Sequence, residues 1–225
     1  MISLFKKYQL LGLIILAINV FPLAAFSQAK KQVKSQSAAS SSNTNVAASD
    51  KGVVINGVRW ATCNVDAFGK FTASPEDMGK IYQWNRKKSW EMTGKITGWG
   101  GSSQKGNNWT KANDPSPAGW RVPTYEEIYK LLDTKKVTTK WTTQNGVKGR
   151  KFTDRKTGKS IFLPAAGCRN FKNGMFEGAG SQGYYWASNK PKGNNAYSTH
   201  FSEKFAQKNL NPCNYGFFIR PVAVE

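Results

Sequence analysis

Histidine, acid and cysteine are all scarce in this chain of 225 residues, and each shortage removes a class of chemistry. The single histidine, His200, excludes any metal cluster or proton relay built on two imidazoles. Only 13 Asp and Glu stand against 33 Lys and Arg, and no spacing among the acids singles out a carboxylate pair for glycoside hydrolysis. Three cysteines cannot all pair within one chain. The one G-x-G-x-x-G, Gly178 to Gly183, precedes the strand-like Tyr184-Tyr185-Trp186, whereas a dinucleotide site needs a strand before it and a helix after. No catalytic set, metal site or cofactor is expected.

What the chain does have begins at its N-terminus. Lys6 and Lys7 precede an almost wholly apolar run over residues 10–26, about 17 residues, at the low edge for spanning a bilayer. Small residues at Ser27 and Ala29 then suit signal peptidase, which gives a cleaved signal peptide over 1–29 and no transmembrane anchor afterwards. Residues 30–50 are Ser, Ala, Asn and Lys with few large apolar groups, the composition of a flexible basic tether. Residues 51–225 turn to Trp, Tyr, Phe, Gly and Asn, and their length suits one domain. Leaving out Lys6, Lys7, Lys30, Lys31, Lys34 and Asp50 takes the net charge from +20 to +16. So basic a domain is drawn to anionic surfaces. Export makes nucleic acid a poor partner and favours acidic glycan or cell envelope, while scattered lysines also suit a merely solvated surface.

Local patterns give an α+β domain of short antiparallel strands. Asn56-Gly57 between Val53-Val54-Ile55 and Val58-Arg59-Trp60-Ala61 is a hairpin signal. Ser74, Glu76 and Asp77 suggest a helix over 75–84. Thr124 with Glu127 forms a capping-box pattern for a helix over 124–133, with Ile128, Leu131 and Leu132 as its apolar stripe. Strands are expected at 141–143, 149–153, 160–166, 184–188, 196–201 and 215–222. Alternation puts Tyr197, Thr199 and Phe201 on one strand face and His200 on the other, at the surface. Residues 85–118 read as one long irregular region. Its Trp90, Trp99 and Trp109 either offer stacking faces to a ligand or fold inward to pin the loop. Trp60, Trp84, Trp120, Trp141 and Trp186 lie in or beside the elements and suit a core.

Seven stretches carry a resemblance: INGVRWATCNVDAFG, PEDMGKIYQWNR, NDPSPAGWRVPTYEEI, WTTQNGVKGRKFTD, IFLPAAGCRN, GYYWASN and YGFFIRPV. With them the chain resembles the Fibrobacter succinogenes major paralogous domain, a family of secreted bacterial modules with a C-type-lectin-like fold. It is distantly similar to the formylglycine-generating sulfatase-modifying enzymes. The chain departs from the family in having Ser116 where a cysteine is common and Cys168 where an aromatic residue is usual. The family's strand packing implies a Cys168–Cys213 disulfide, with Cys63 left as a buried thiol. It lacks the Glu-Pro-Asn, Gln-Pro-Asp and Trp-Asn-Asp triplets with which calcium-dependent lectins bind sugar.

The resemblance implies a secreted or cell-surface recognition or adhesion module, binding extracellular glycan or surface protein. Loops at one end of such a fold would carry the ligand contacts, here Trp99, Trp109, Arg169, Asn170 and Trp186. The alternative it implies is an enzyme, a hydrolase or a copper-dependent oxidase, whose metal would need the thiolates of Cys168 and Cys213.

Overall fold

The computed structural model describes residues 50–94, 96–100 and 105–225. The expected signal peptide and all of the expected tether but Asp50 lie outside the described residues. Among the described residues no helix is long and apolar enough to cross a membrane.

The described residues are mostly antiparallel sheet with one short α-helix, an α+β arrangement. In order the strands are β1 Val53–Ile55, β2 Val58–Trp60, β3 Ile81–Gln83, β4 Ser89–Trp90 and β5 Trp120–Arg121. After the helix α1 Tyr125–Leu131 come β6 Val137–Gln144, β7 Val147–Asp154, β8 Ser160–Pro164, β9 Cys168–Arg169 and β10 Phe176–Glu177. The last are β11 Gln182–Trp186, β12 Asn195–Ser202, β13 Ala206–Pro212, β14 Gly216–Phe217 and β15 Val222–Ala223. They form four sheets in the orders β1-β2-β15-β5, β10-β9-β14-β3-β4, β11-β12-β13 and β6-β7-β8. Pairing of Val222 with Trp60 and Arg121 ties the end of the domain to its beginning and middle.

Two local signals act as the sequence suggests. Asn56 and Gly57 both take positive φ, 47° and 78°, which the two-residue turn between β1 and β2 requires. Thr124 caps α1: its side chain accepts from Glu127 N at 3.2 Å, and Glu127 accepts from Thr124 N at 2.7 Å. Arg121 grips the same carboxylate with both terminal nitrogens at 2.8 and 2.7 Å. Burial pushes the Glu127 carboxyl up, but these donors outweigh it and hold it below the usual range.

Tertiary bonds override local preference elsewhere. The expected helix over 75–84 is absent, and its second half is β3. The preceding segment lies against Val65, with Lys80 N donating to Val65 O at 3.2 Å and Asn64 Nδ2 to Met78 O at 2.9 Å. Gly79 sits at φ 77° with Val65 O only 2.2 Å from where a Cβ would be, so the contact admits glycine alone. The expected strand 215–222 breaks into β14 and β15. Between them Arg220, 1% exposed, turns its guanidinium inward to Asn64 Oδ1 at 2.8 Å, Ala61 O at 3.2 Å and Thr62 O. The strand expected at 184–188 runs instead over Gln182–Trp186. His200 is only partly exposed: it is stacked on Tyr184 at 4.2 Å, with Nε2 2.9 Å from Gln182 Oε1.

The core consists of two main apolar clusters. One gathers Trp60, Phe152, Tyr185, Phe201 and Phe218 with the buried side of α1. The other is aromatic and centred on Tyr82, Trp84, Trp109, Trp186 and Phe217.

Candidate functional site

The five residues expected to bind ligand are only partly brought together. Trp99, Arg169 and Asn170 meet around Gly216 and Gly174, two glycines whose Cβ positions would lie 2.6 and 2.8 Å from the Trp99 ring. Trp99 Nε1 donates to Asn170 O at 2.9 Å, and its ring packs edge-on to Trp90 with centroids 5.1 Å apart. Arg169 is buried, with Nε bonded to Glu91 O and Nη1 to Gly174 O, each at 2.7 Å. Desolvation lowers its pKa, which also marks an enclosed cation. The Asn170 amide completes its own loop: Oδ1 accepts Lys172 N at 2.9 Å, and Nδ2 reaches Glu177 at 3.4 Å. Trp186 is fully buried in the aromatic cluster and donates Nε1 to Tyr82 O at 2.8 Å. These groups satisfy one another and hold the long loops down.

Trp109 is different. Its ring packs edge-on to Trp84 with centroids 5.9 Å apart, yet it also lines an open pocket of about 630 Å³. Phe68, Ser116, Pro117, Trp120 and Lys111 are among the other walls. Sequence alone used the Asp114-to-Gly119 loop as a family mark and missed it as a site. The available signal was an Asp-Pro-x-Pro loop flanked by exposed-prone aromatics, a rigid rim of the kind on which binding residues concentrate.

The local chemistry explains that rigidity. Asp114 Oδ1 accepts Ser116 N and Oδ2 accepts Val122 N, both at 2.9 Å, which closes the loop from inside. Trp120 N bonds Pro117 O at 3.0 Å around Gly119, whose φ is 82°. Gly69 N donates to Pro115 O at 2.9 Å and joins the Phe68 turn to this loop. Trp120 is braced edge-on by Phe71, with centroids 5.5 Å apart. Asn85, at φ 54°, accepts Thr110 N at 2.9 Å and takes Asn113 Nδ2 on its carbonyl, also at 2.9 Å, so the segment after Trp109 is fixed too.

Phe68 is left 45% exposed at the mouth, with the Lys87 ammonium 4.2 Å from its ring centroid. Trp109 Nε1 and Ser116 Oγ are both buried, and neither has a hydrogen-bond partner among the described residues. An orphaned buried polar atom costs about 1–3 kcal/mol, which the packing around Trp109 and Ser116 has to offset. Aromatic walls and ammonium groups at the edge suit a ligand with apolar faces and acidic substituents.

The cysteines give no second centre. All three are free and buried in the structure, so the expected Cys168–Cys213 bridge is not formed in it. Cys168 Sγ instead faces Glu177 Oε1 at 3.8 Å. Burial, then the Glu177 charge, pushes the Cys168 thiol up to about 12, and burial pushes Cys213 up to about 11. Among the described residues no three His, Cys, Asp or Glu side chains gather as a metal group.

A family model described as a domain of unknown function (DUF8237) matches residues 133–222, less than half of the chain. That span starts just after α1, so of the pocket it includes none of Phe68, Trp109, Ser116 and Trp120. Neither the curated proteins nor the solved structures contain a match.

Proposed function

We propose that the chain is an exported, non-enzymatic recognition or adhesion module that binds glycan or surface protein through the Phe68–Trp109–Trp120 pocket. In this reading the domain is of the Fibrobacter paralogous type, its strands and long pinned loops arranged in the C-type-lectin-like manner. The basic start and apolar run before Ala29 support export. The observation that carries the reading is the pocket itself: about 630 Å³, walled by Phe68, Trp109 and Trp120, on a rigid loop. Stacking of a pyranose or a side chain on Phe68 and Trp120 would supply affinity. Lys87 and Lys111 would favour acidic substituents.

A glycan array on the purified protein, followed by titration on tryptophan fluorescence, tests this. Phe68→Ala, at an exposed position, is expected to weaken the best ligand about tenfold, the loss of roughly 1.4 kcal/mol of stacking. The melting temperature should stay nearly unchanged. Wild-type affinity in both Phe68→Ala and Ser116→Ala would remove the pocket from the function.

A further inference from the structure

Several acids of this protein bind backbone, and one consequence appears at the turn between β1 and β2. Asp154 accepts Asn56 N at 2.7 Å, Thr157 N at 2.8 Å and Lys156 N at 2.9 Å, so both carboxylate oxygens are occupied by amides. Asp133 Oδ1 likewise takes Lys135 N at 2.9 Å. Arg155 clamps the two turns together, with N on Lys136 O at 2.8 Å and Nε on Thr134 O at 3.0 Å. The ammonium groups of Lys135, Lys136 and Lys156 are thereby set on fixed backbone, and none has an ion-pair partner among the described residues. They line a cleft of about 460 Å³ whose far wall is Asn56-Gly57. Gly57 leaves that wall open, since a Cβ there would meet nothing within 4 Å.

A second cavity, about 360 Å³, adjoins the first and shares Lys135 with it. Its walls include Tyr129, 56% exposed, and Lys208, whose ammonium lies 5.1 Å from the Tyr129 ring centroid. A cationic cleft thus meets an aromatic one at Lys135.

We propose that these two joined cavities form a subsite for a linear acidic polysaccharide, separate from the aromatic pocket, with which they share no residue. A carboxylate- or sulfate-bearing sugar would sit among Lys135, Lys136 and Lys156, and its neighbour in the chain would lay a ring face on Tyr129. A lone anion would have no use for the second cavity. Single-stranded nucleic acid would ask for several successive stacking faces, and only one exposed ring is present.

Calorimetric titration of the full chain with a heparin hexasaccharide and with polygalacturonate tests the proposal, with inorganic sulfate and an oligothymidine as the other probes. At least one polysaccharide should bind, more weakly as salt rises. The double variant Lys135→Ala/Lys156→Ala should lose about tenfold in affinity and flatten the salt slope by roughly one to two charges. Tyr129→Ala should weaken binding several-fold and leave that slope unchanged. Lys70→Ala/Lys192→Ala removes the same charge from exposed positions outside both cavities and should bind as wild type. Equal losses in the two double variants would overturn the site in favour of diffuse charge. Tighter binding of the oligothymidine, or sulfate binding as well as either polysaccharide, would overturn the ligand.

Discussion

Trp186 and Trp109 belong to one aromatic cluster, are both buried, and differ in a single respect that matters for function. Trp186 gives its indole N–H to Tyr82 O, as Trp84 gives its own to Ala187 O at 3.0 Å and Trp99 to Asn170 O. Trp109 gives its N–H to nothing and stands at the wall of an open pocket. Trp60 Nε1 and Trp90 Nε1 are also unpartnered, but those rings line none of the cavities described above. The same residue types therefore make a closed anchor in one place and the wall of an open pocket in the other. Unused hydrogen-bonding capacity next to accessible volume separates them.

The largest test of the closed side is Trp186→Ala, which should cost about 3–5 kcal/mol, the usual range for an emptied core tryptophan. At this domain size that is on the order of 10 °C in melting temperature. Little change in melting would place Trp186 outside the core and dissolve the contrast. Arg169→Ala comes next, at about 2–3 kcal/mol, because Glu91 O and Gly174 O lose a charged donor inside the protein. Its ligand affinity at the pocket should stay at the wild-type level. A flattened salt dependence with unchanged melting would instead make Arg169 a ligand residue.

The matched pair Trp186→Phe and Trp109→Phe sharpens the comparison, since each removes one indole N–H and the same volume. Trp186→Phe strands the Tyr82 carbonyl, whereas Trp109→Phe deletes a donor that had no partner. Thermal melts should show Trp186→Phe the less stable by about 1–2 kcal/mol. Equal costs would mean that Trp109 Nε1 finds a partner in solution.

The smallest effect expected is a pH step from His200. Burial lowers its pKa from 6.5, so the unfolded chain takes up the proton first as pH falls. Stability should therefore decline as pH drops through about 6.5 and below, and His200→Phe should abolish that step. The Glu127 contribution lies lower, present above 4.5 and lost as pH falls further, because its folded pKa is depressed.

The elements legible in the sequence are those whose determinants lie within a few residues. Asn56-Gly57 and the Thr124–Glu127 box carry their own geometry, and both folded as their patterns imply. Ser74, Glu76 and Asp77 carry an equally good helix start, but Asn64 and Val65 hold the following backbone extended. No local pattern reveals that, nor the break that Arg220 makes in the last strand by reaching Asn64, 156 positions earlier. The candidate site divides the same way. A tryptophan-rich loop was visible, but whether an indole is satisfied depends on carbonyls such as Asn170 O, 71 residues from Trp99, and Tyr82 O, 104 from Trp186.

The carboxylates that staple turns give the molecule two opposite responses to ionic strength. Asp114 and Asp154, and likewise Asp50 with Gly52 N at 2.8 Å and Thr62 N at 2.7 Å, hold amides at contact distance, where dissolved ions screen little. Added salt quiets the mutual repulsion of the lysines and leaves these staples in place, so the folded state grows firmer. The same salt loosens any hold on an acidic polymer. A rise in salinity would thus weaken binding of any acidic polymer and leave the fold intact, so that binding could resume once the medium is diluted.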